Sequence, residues 1–166
     1  MAATSGTAKV TLPADTQILI TREFDAPRRH VWRAYTEPSL IKRWWAGQKG
    51  TVTSVEVDLR VGGRWRYVMT ANGGFEVAFH GEFREVAPPE RLVNTEAFEG
   101  IPDPDGNAGL VTVTLTEKEG RTYLEALCEY HDKATRDMVI DSGMESGMQE
   151  SYDALEQVAV SLQANP

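Results

Sequence analysis

The chain has 166 residues, 41% hydrophobic and 25% charged, a balance that excludes a disordered or fibrous protein and suits one globular domain. Its 17 Lys and Arg against 25 Asp and Glu leave a formal net charge of −8, which disfavours nucleic acid and anionic membranes as partners. The single cysteine, Cys128, excludes an internal disulfide framework and a cysteine-rich zinc site, and no apolar run is long enough to span a bilayer. The N-terminal stretch lacks the basic start and apolar core of a secretory signal. The expected location is therefore cytoplasmic, without membrane insertion.

Residues 1–8 read as a flexible arm ahead of one domain over 9–166. Gln17 to Phe24 is apolar and β-branched and predicts a strand. Asp25 is placed to cap a helix, with Pro27 in its first turn, and Val31, Trp32 and Tyr35 share one helical face. Pro38 starts a second short helix through Leu40, Ile41, Trp44 and Trp45, which Gly47 and Gly50 end. Strands follow from Val52 to Leu59 and from Arg64 to Thr70. In the second, Trp65, Tyr67 and Met69 face one side, and Arg64, Arg66 and Val68 the other. Asn72-Gly73-Gly74 signals a hairpin. Phe75, Val77, Phe79, Gly81 and Phe83 then share a face up to Val86, and Pro88-Pro89 closes the strand. Arg91 to Phe98, Leu110 to Thr116 and Thr122 to Tyr130 complete the strand set. The loop from Gly100 to Gly109 reads as a Pro/Gly-rich turn, since its Asp103, Asp105 and Asn107 fail the calcium-loop spacing.

From Asp132 onward the period becomes helical. Met144, Met148, Tyr152, Leu155, Ala159 and Leu162 form one stripe. The expectation is one long helix from about Asp132 to the end, roughly 45 Å in length at 1.5 Å per residue. Short turns between strands imply an antiparallel sheet, and the long helix is the available cover for one face of it. The predicted class is α+β: a curved antiparallel sheet of about seven strands wrapped on a C-terminal helix, with two short helices between the first two strands.

Four segments in order carry a resemblance: TREFDAPRRHVWRAYTEPSLIKRWW (21–45), DLRVGGRWRYVM (58–69), FHGEFREVAPPERLVNTE (79–96) and SGMESGMQESYDALEQV (142–158). With them the chain resembles the bacterial activator-of-heat-shock-protein-90-ATPase-like family, within the SRPBCC superfamily of START and Bet-v-type helix-grip folds. The resemblance implies a seven-stranded sheet gripping the C-terminal helix, with a cavity between them. That superfamily includes lipid carriers, hormone and flavonoid binders and aromatic cyclases, so fold analogy leaves the function open.

An apolar concave wall suits a flat hydrophobic ligand. The expected ligand-binding residues are Trp44, Trp45, Trp65, Tyr67, Met69, Phe75, Phe79, Met144, Met148 and Tyr152. Adjacent helical residues lie about 100° apart, so one of Trp44 and Trp45 is expected to leave the core and line a cleft. Gly143 and Gly147, four apart, are expected to lie on one helical face and leave room for a ligand or a close approach. Arg64 and Arg66 are expected to be solvated, paired with Glu76, Glu82 or Glu85. His80 is expected to point outward. Cys128 alternates with Leu124, Ala126 and Tyr130 as a small apolar residue without an activating base.

None of His30, His80 and His131 has metal-ligand spacing, and the sequence carries no catalytic or nucleotide-binding motif. No catalytic residue, metal site or cofactor is assigned, and turnover is the less favoured reading. The expected function is binding of an apolar or aromatic small molecule, such as a lipid, flavonoid or polyketide-like compound, in the cavity. Two alternatives stand beside it. One is a cyclase or hydrolase acting on an aromatic, polyketide-like substrate through Tyr67, His80, Glu125 or Tyr152. The other is a chaperone-interacting module, as the family's name implies, which an exposed Trp44 would favour. A homodimer is left open.

Overall fold

The computed structural model describes residues 7–164. Its elements, in chain order, are β1 (Lys9–Thr11), β2 (Gln17–Phe24), α1 (Arg28–Thr36), α2 (Pro38–Ile41), β3 (Gly50–Val57), β4 (Arg64–Ala71), β5 (Glu76–Ala87), β6 (Arg91–Phe98), β7 (Gly109–Lys118), β8 (Arg121–Glu129), α3 (Lys133–Asp141) and α4 (Met144–Ala164). All strands join one antiparallel sheet in the order β1-β2-β8-β7-β6-β5-β4-β3. The sheet has eight strands rather than the expected seven or so. The addition is β1, three residues paired with the edge of β2. A run this short carries too little alternation to be read from sequence. Ala8, assigned to the arm by sequence, is buried and exchanges hydrogen bonds with the Gln149 side chain at 3.0 and 2.7 Å. The rest of the expected arm, residues 1–6, lies outside the described residues.

Period-two alternation builds the sheet's inner face. Ile18, Ile20 and Phe24 of β2, Val111, Val113 and Leu115 of β7, and Leu124, Ala126 and Cys128 of β8 are buried there. Leu155, Val158, Ala159 and Leu162 of α4 pack against them. The broken pattern of β3 has a cause: the register shifts between Val52 and Ser54, as at a β-bulge. β7 and β8 meet at Glu119 and Gly120, both at positive φ (54° and 77°), which is the backbone a tight two-residue hairpin needs.

Three helical expectations are corrected. Asp25 does not cap α1. Its N-cap is Pro27, with no side-chain cap, and the Glu117 carboxylate of β7 accepts from the Arg28 N–H at 2.6 Å instead. An acid from a neighbouring strand thus serves the positive end of the helix. The second short helix stops at Ile41, and Trp44 and Trp45 lie in the turns that follow. The long C-terminal helix is divided at Gly143, which has φ +84° and ends α3 as a left-handed cap residue. The apolar stripe runs along α4 alone.

One buried ion pair ties sheet to helix. Arg22 faces inward from β2 and reaches Asp153 at 2.6 Å and Glu156 at 3.1 Å, both on α4. The other oxygen of Glu156 accepts from the Asp25 N–H at 2.8 Å. The Arg22 guanidinium also lies 5.2 Å from the Phe24 ring centroid.

Candidate functional site

The inner face is apolar around α4 and aromatic toward β4 and β5. Trp65 is buried, and its Nε1 donates to the Thr95 carbonyl at 3.1 Å. Its ring centroid lies 4.7 Å from that of Tyr67. Trp45 stands edge-on to both Tyr67 (5.5 Å) and Phe79 (5.8 Å), and Phe79 stacks on Phe98 at 5.0 Å. These contacts follow from register, because Tyr67 pairs with Phe79 and Phe79 with Phe98 across three strands.

The segment after α2 carries Trp45 to this wall and is fastened to α4. The Ser151 hydroxyl donates to the Trp45 carbonyl at 2.8 Å, and the Gln48 N–H to Glu150 at 3.1 Å. Gly47, at φ +56°, lets the turn pass close by, since a Cβ there would meet that of Glu150 at 2.9 Å. Trp45, Tyr67 and Phe79 are half-buried, and so are Met144 and Met148 on the facing helix. Tyr152 is buried, edge-on to Phe24 at 5.9 Å, with its hydroxyl hydrogen-bonded to Tyr35.

Of the residues expected from sequence, the structure brings Trp45, Trp65, Tyr67 and Phe79 into one cluster, with Met144, Met148 and Tyr152 on α4 packed against the same core. Trp44 and Trp45 do divide their roles. Trp44 is buried, stacks on Tyr35 at 5.7 Å and donates to the Ala34 carbonyl at 2.7 Å, anchoring α1 rather than lining a cleft. Met69 is half-buried outside the core cluster. Phe75 is corrected: it precedes β5 in the hairpin and is 62% exposed, with its ring against Gly73. Hairpin residues escape the alternation of the strand they precede. Gly143 and Gly147 do not form one helical face, because Gly143 caps α3. Around Gly147 a Cβ would meet nothing within 4 Å.

Glu96 completes the site, and sequence reasoning missed it. Its strand mates Leu92 and Asn94, two and four residues back, face the interior, so its carboxyl does too. Like Trp45 and Tyr67, the residue is half-buried and keeps part of its surface open. Removal from bulk water pushes the carboxyl up to about 6. Tyr35 of α1, Tyr67 of β4, Cys128 and Tyr130 at β8, and Tyr152 of α4 all feel its charge. Burial raises each of them as well, the Cys128 thiol to about 12 and the tyrosines above their ordinary range, so all five stay neutral at physiological pH. The signal was present: Leu92, Asn94, Glu96 and Phe98 alternate in phase, which makes Glu96 an acid at a core position.

The outer face of the same strands carries a groove of about 580 Å³ lined by Glu56, Arg64, Arg66, His80, Glu99 and Pro104. His80 does point outward. Its Nδ1 lies 2.8 Å from Glu99 and its Nε2 2.6 Å from Asp105. Arg66 pairs with Glu99 through two bonds of 2.9 Å, not with the expected Glu76, Glu82 or Glu85. The Arg66 guanidinium and His80 hold the Glu99 carboxyl down at about 2. Glu125 is exposed on β8, away from the inner face. Of the four candidate acids and bases of an enzyme, only Tyr67 and Tyr152 face inward. Among the described residues, no group of three or more His, Cys, Asp or Glu is placed to hold a metal ion, and no helix is long and apolar enough to cross a membrane.

A family model described as Activator of Hsp90 ATPase homolog 1-like protein matches residues 25–159. Among solved structures, a protein from Rhodobacter sphaeroides is 30% identical, with a TM-score of 0.84 over 96% of this chain and 99% of that one. A protein from Mycobacterium smegmatis is 28% identical, with a TM-score of 0.79 over 95% and 97%. One from Nitrosomonas europaea is 25% identical, with a TM-score of 0.81 over 92% and 99%. No curated protein matches the chain.

Proposed function

The chain belongs to the Activator of Hsp90 ATPase homolog 1-like family, and from that premise we propose that it binds a small molecule with an apolar or aromatic body between the inner sheet face and α4. Family and helix-grip fold support a ligand-binding module at the coarse level. One observation carries the finer reading. Trp45, Tyr67 and Phe79 keep part of their surface open on the inner face, where core rings would ordinarily be closed over. Half-buried Met144 and Met148 opposite them supply adaptable apolar surface. The ligand-binding set is thus Trp45, Trp65, Tyr67, Phe79, Met144, Met148 and Tyr152. The burial of Trp44 weighs against a chaperone-docking surface built on it.

Native mass spectrometry of protein purified gently from cell extract tests this reading. The expected result is a mass increment of small-molecule size that solvent extraction removes. Protein that stays empty from extract, and also after incubation with lipids, flavonoids and polyketides, overturns it. A second reading, a cyclase-type enzyme, gains support from Glu96, an interior carboxyl able to move a proton beside inward tyrosines. Under that reading a bound candidate substrate is recovered chemically changed, and Glu96→Gln stops the change while leaving binding in place.

A further inference from the structure

The middle of β6 is built around Glu96 in a way that a plain core position does not require. Glu96 pairs with Gly109 of β7 on one side, and on the other lies beside Gly81 of β5, one residue past the His80–Ala97 pair. Both flanking strands therefore lack a side chain at the level of the carboxylate. A backbone carbonyl and neighbouring aromatics take the space. A Cβ at Gly81 would meet the Thr95 carbonyl oxygen first and then Trp65 Nε1 at 2.5 Å, and one at Gly109 would meet the Tyr130 ring at 2.7 Å. Glu96 thus stands between two rings that lean over glycines, with Tyr35, Tyr67, Tyr152 and Cys128 also near enough to feel its charge.

Among the described residues, no cation and no hydrogen-bond donor reaches the Glu96 carboxylate, although the interior carboxylate Glu156 has Arg22. A carboxylate half-withdrawn from water and without a protein partner carries a penalty that a donor would relieve. The missing partner is a donor, and a positively charged one fits best. The aromatic rings of Trp65 and Tyr67, 4.7 Å apart, make the surroundings more welcoming to a cation than to an anion, and the net charge of −8 draws cations toward the protein. An acid ligand would face uncompensated repulsion.

We propose that the polar end of the ligand held between sheet and α4 is a protonated amine, seated on the Glu96 carboxylate between Trp65 and Tyr130, with its apolar body toward Trp45 and Phe79. This inference rests on the ligand-binding reading and adds the ligand's charge. Three probes with one ring body separate the two: naphthylmethylamine, naphthylmethanol and naphthoate, titrated into the full chain at neutral pH and followed by calorimetry. The amine is expected to bind about tenfold or more tightly than the alcohol, the ratio that separates a charge-assisted from a neutral hydrogen bond. Naphthoate is expected to bind more weakly than either. In Glu96→Gln, checked for folding by circular dichroism, amine and alcohol converge. In the wild type the amine alone weakens as pH falls through about 6, where Glu96 takes up its proton while the surrounding tyrosines and Cys128 stay neutral. Equal binding of all three probes, or an amine preference that survives Glu96→Gln, overturns the amine and leaves the ligand-binding reading standing. No binding by any probe also overturns the amine, and the ligand-binding reading is then decided by the native mass spectrometry above.

Discussion

Glu96 is a carboxylate whose protonation and environment disagree at neutral pH. Its folded-state value lies above the ordinary 4.5, at about 6. The folded chain therefore holds the proton more tightly than the unfolded one, and stability falls as pH rises through that interval. Below about 4.5 the carboxyl is protonated in both states and carries no penalty. Above about 6 the penalty is complete. Glu96→Gln removes the charge and should stabilise the free protein by about 1–2 kcal/mol at neutral pH, since a tenfold difference in proton affinity between the folded and unfolded chain is worth ~1.4 kcal/mol. Urea unfolding at neutral pH and near pH 4 measures this, and an advantage of equal size at both would contradict the cause given. Trp65 and Tyr130 owe their positions to residues with no side chain, Gly81 and Gly109. That dependence is invisible until strands are aligned.

Among the elements, the loop between β6 and β7 is tied to β5 by His80, while at its far end Asn107 meets His131 at 2.9 Å. His80 bonds Asp105 from the loop and Glu99 from its start, and Glu99 in turn is held by Arg66. The bond to Asp105, then that to Glu99, raises the His80 value above its ordinary 6.5. A raised histidine contributes stability that is complete below the ordinary value and is lost as pH rises through the folded one. Amide hydrogens of residues 100–107, corrected for intrinsic rate, should therefore exchange faster at pH 8 than at pH 6. His80→Gln should remove that difference, and a pH dependence that persists in the variant would discount the latch. The strands that frame this loop were legible from alternation. The division of α3 from α4 was not, because the apolar stripe begins only at Met144 and carries no sign that the backbone turns left-handed at Gly143 just before it. A periodicity reading weighs side chains and takes no account of φ.

At the scale of the whole molecule, the sheet and α4 are joined by packing and by Arg22. Removing one partner of a buried ion pair strands the other, at a typical cost of about 3–5 kcal/mol. Arg22→Ala should destabilise the protein by an amount in that range, and pairing it with Glu156→Gln should recover part of the loss. Thermal unfolding of the two variants decides, and a single variant within ~0.5 kcal/mol of the wild type would show that packing alone holds the helix. Arg22 sits in an alternating strand as an apparent exception, Ile18-Ile20-Arg22-Phe24, and Glu96 is the same kind of exception in β6. Arg22 found its counter-charge 134 residues away in sequence, and Glu96 found none among the described residues. Nothing local separates the two cases.

The amino-acid sequence by itself determined the order of the seven longer strands with two short helices after the first, the antiparallel sheet, the apolar stripe of the last helix and the aromatic wall of β4 and β5. Each of these is written in periods of two or 3.6 residues, which short-range sterics and burial enforce along a continuous stretch. It also carried the family resemblance, through four segments in order. Only the tertiary structure decided which tryptophan of the pair is core, which carboxylate meets an arginine and which stands alone, and that two glycines on separate strands clear space around Glu96. These depend on strand register and on the docking of α4. They arise between residues far apart in the chain, where the free energy of a charge is set by neighbours that no local window contains.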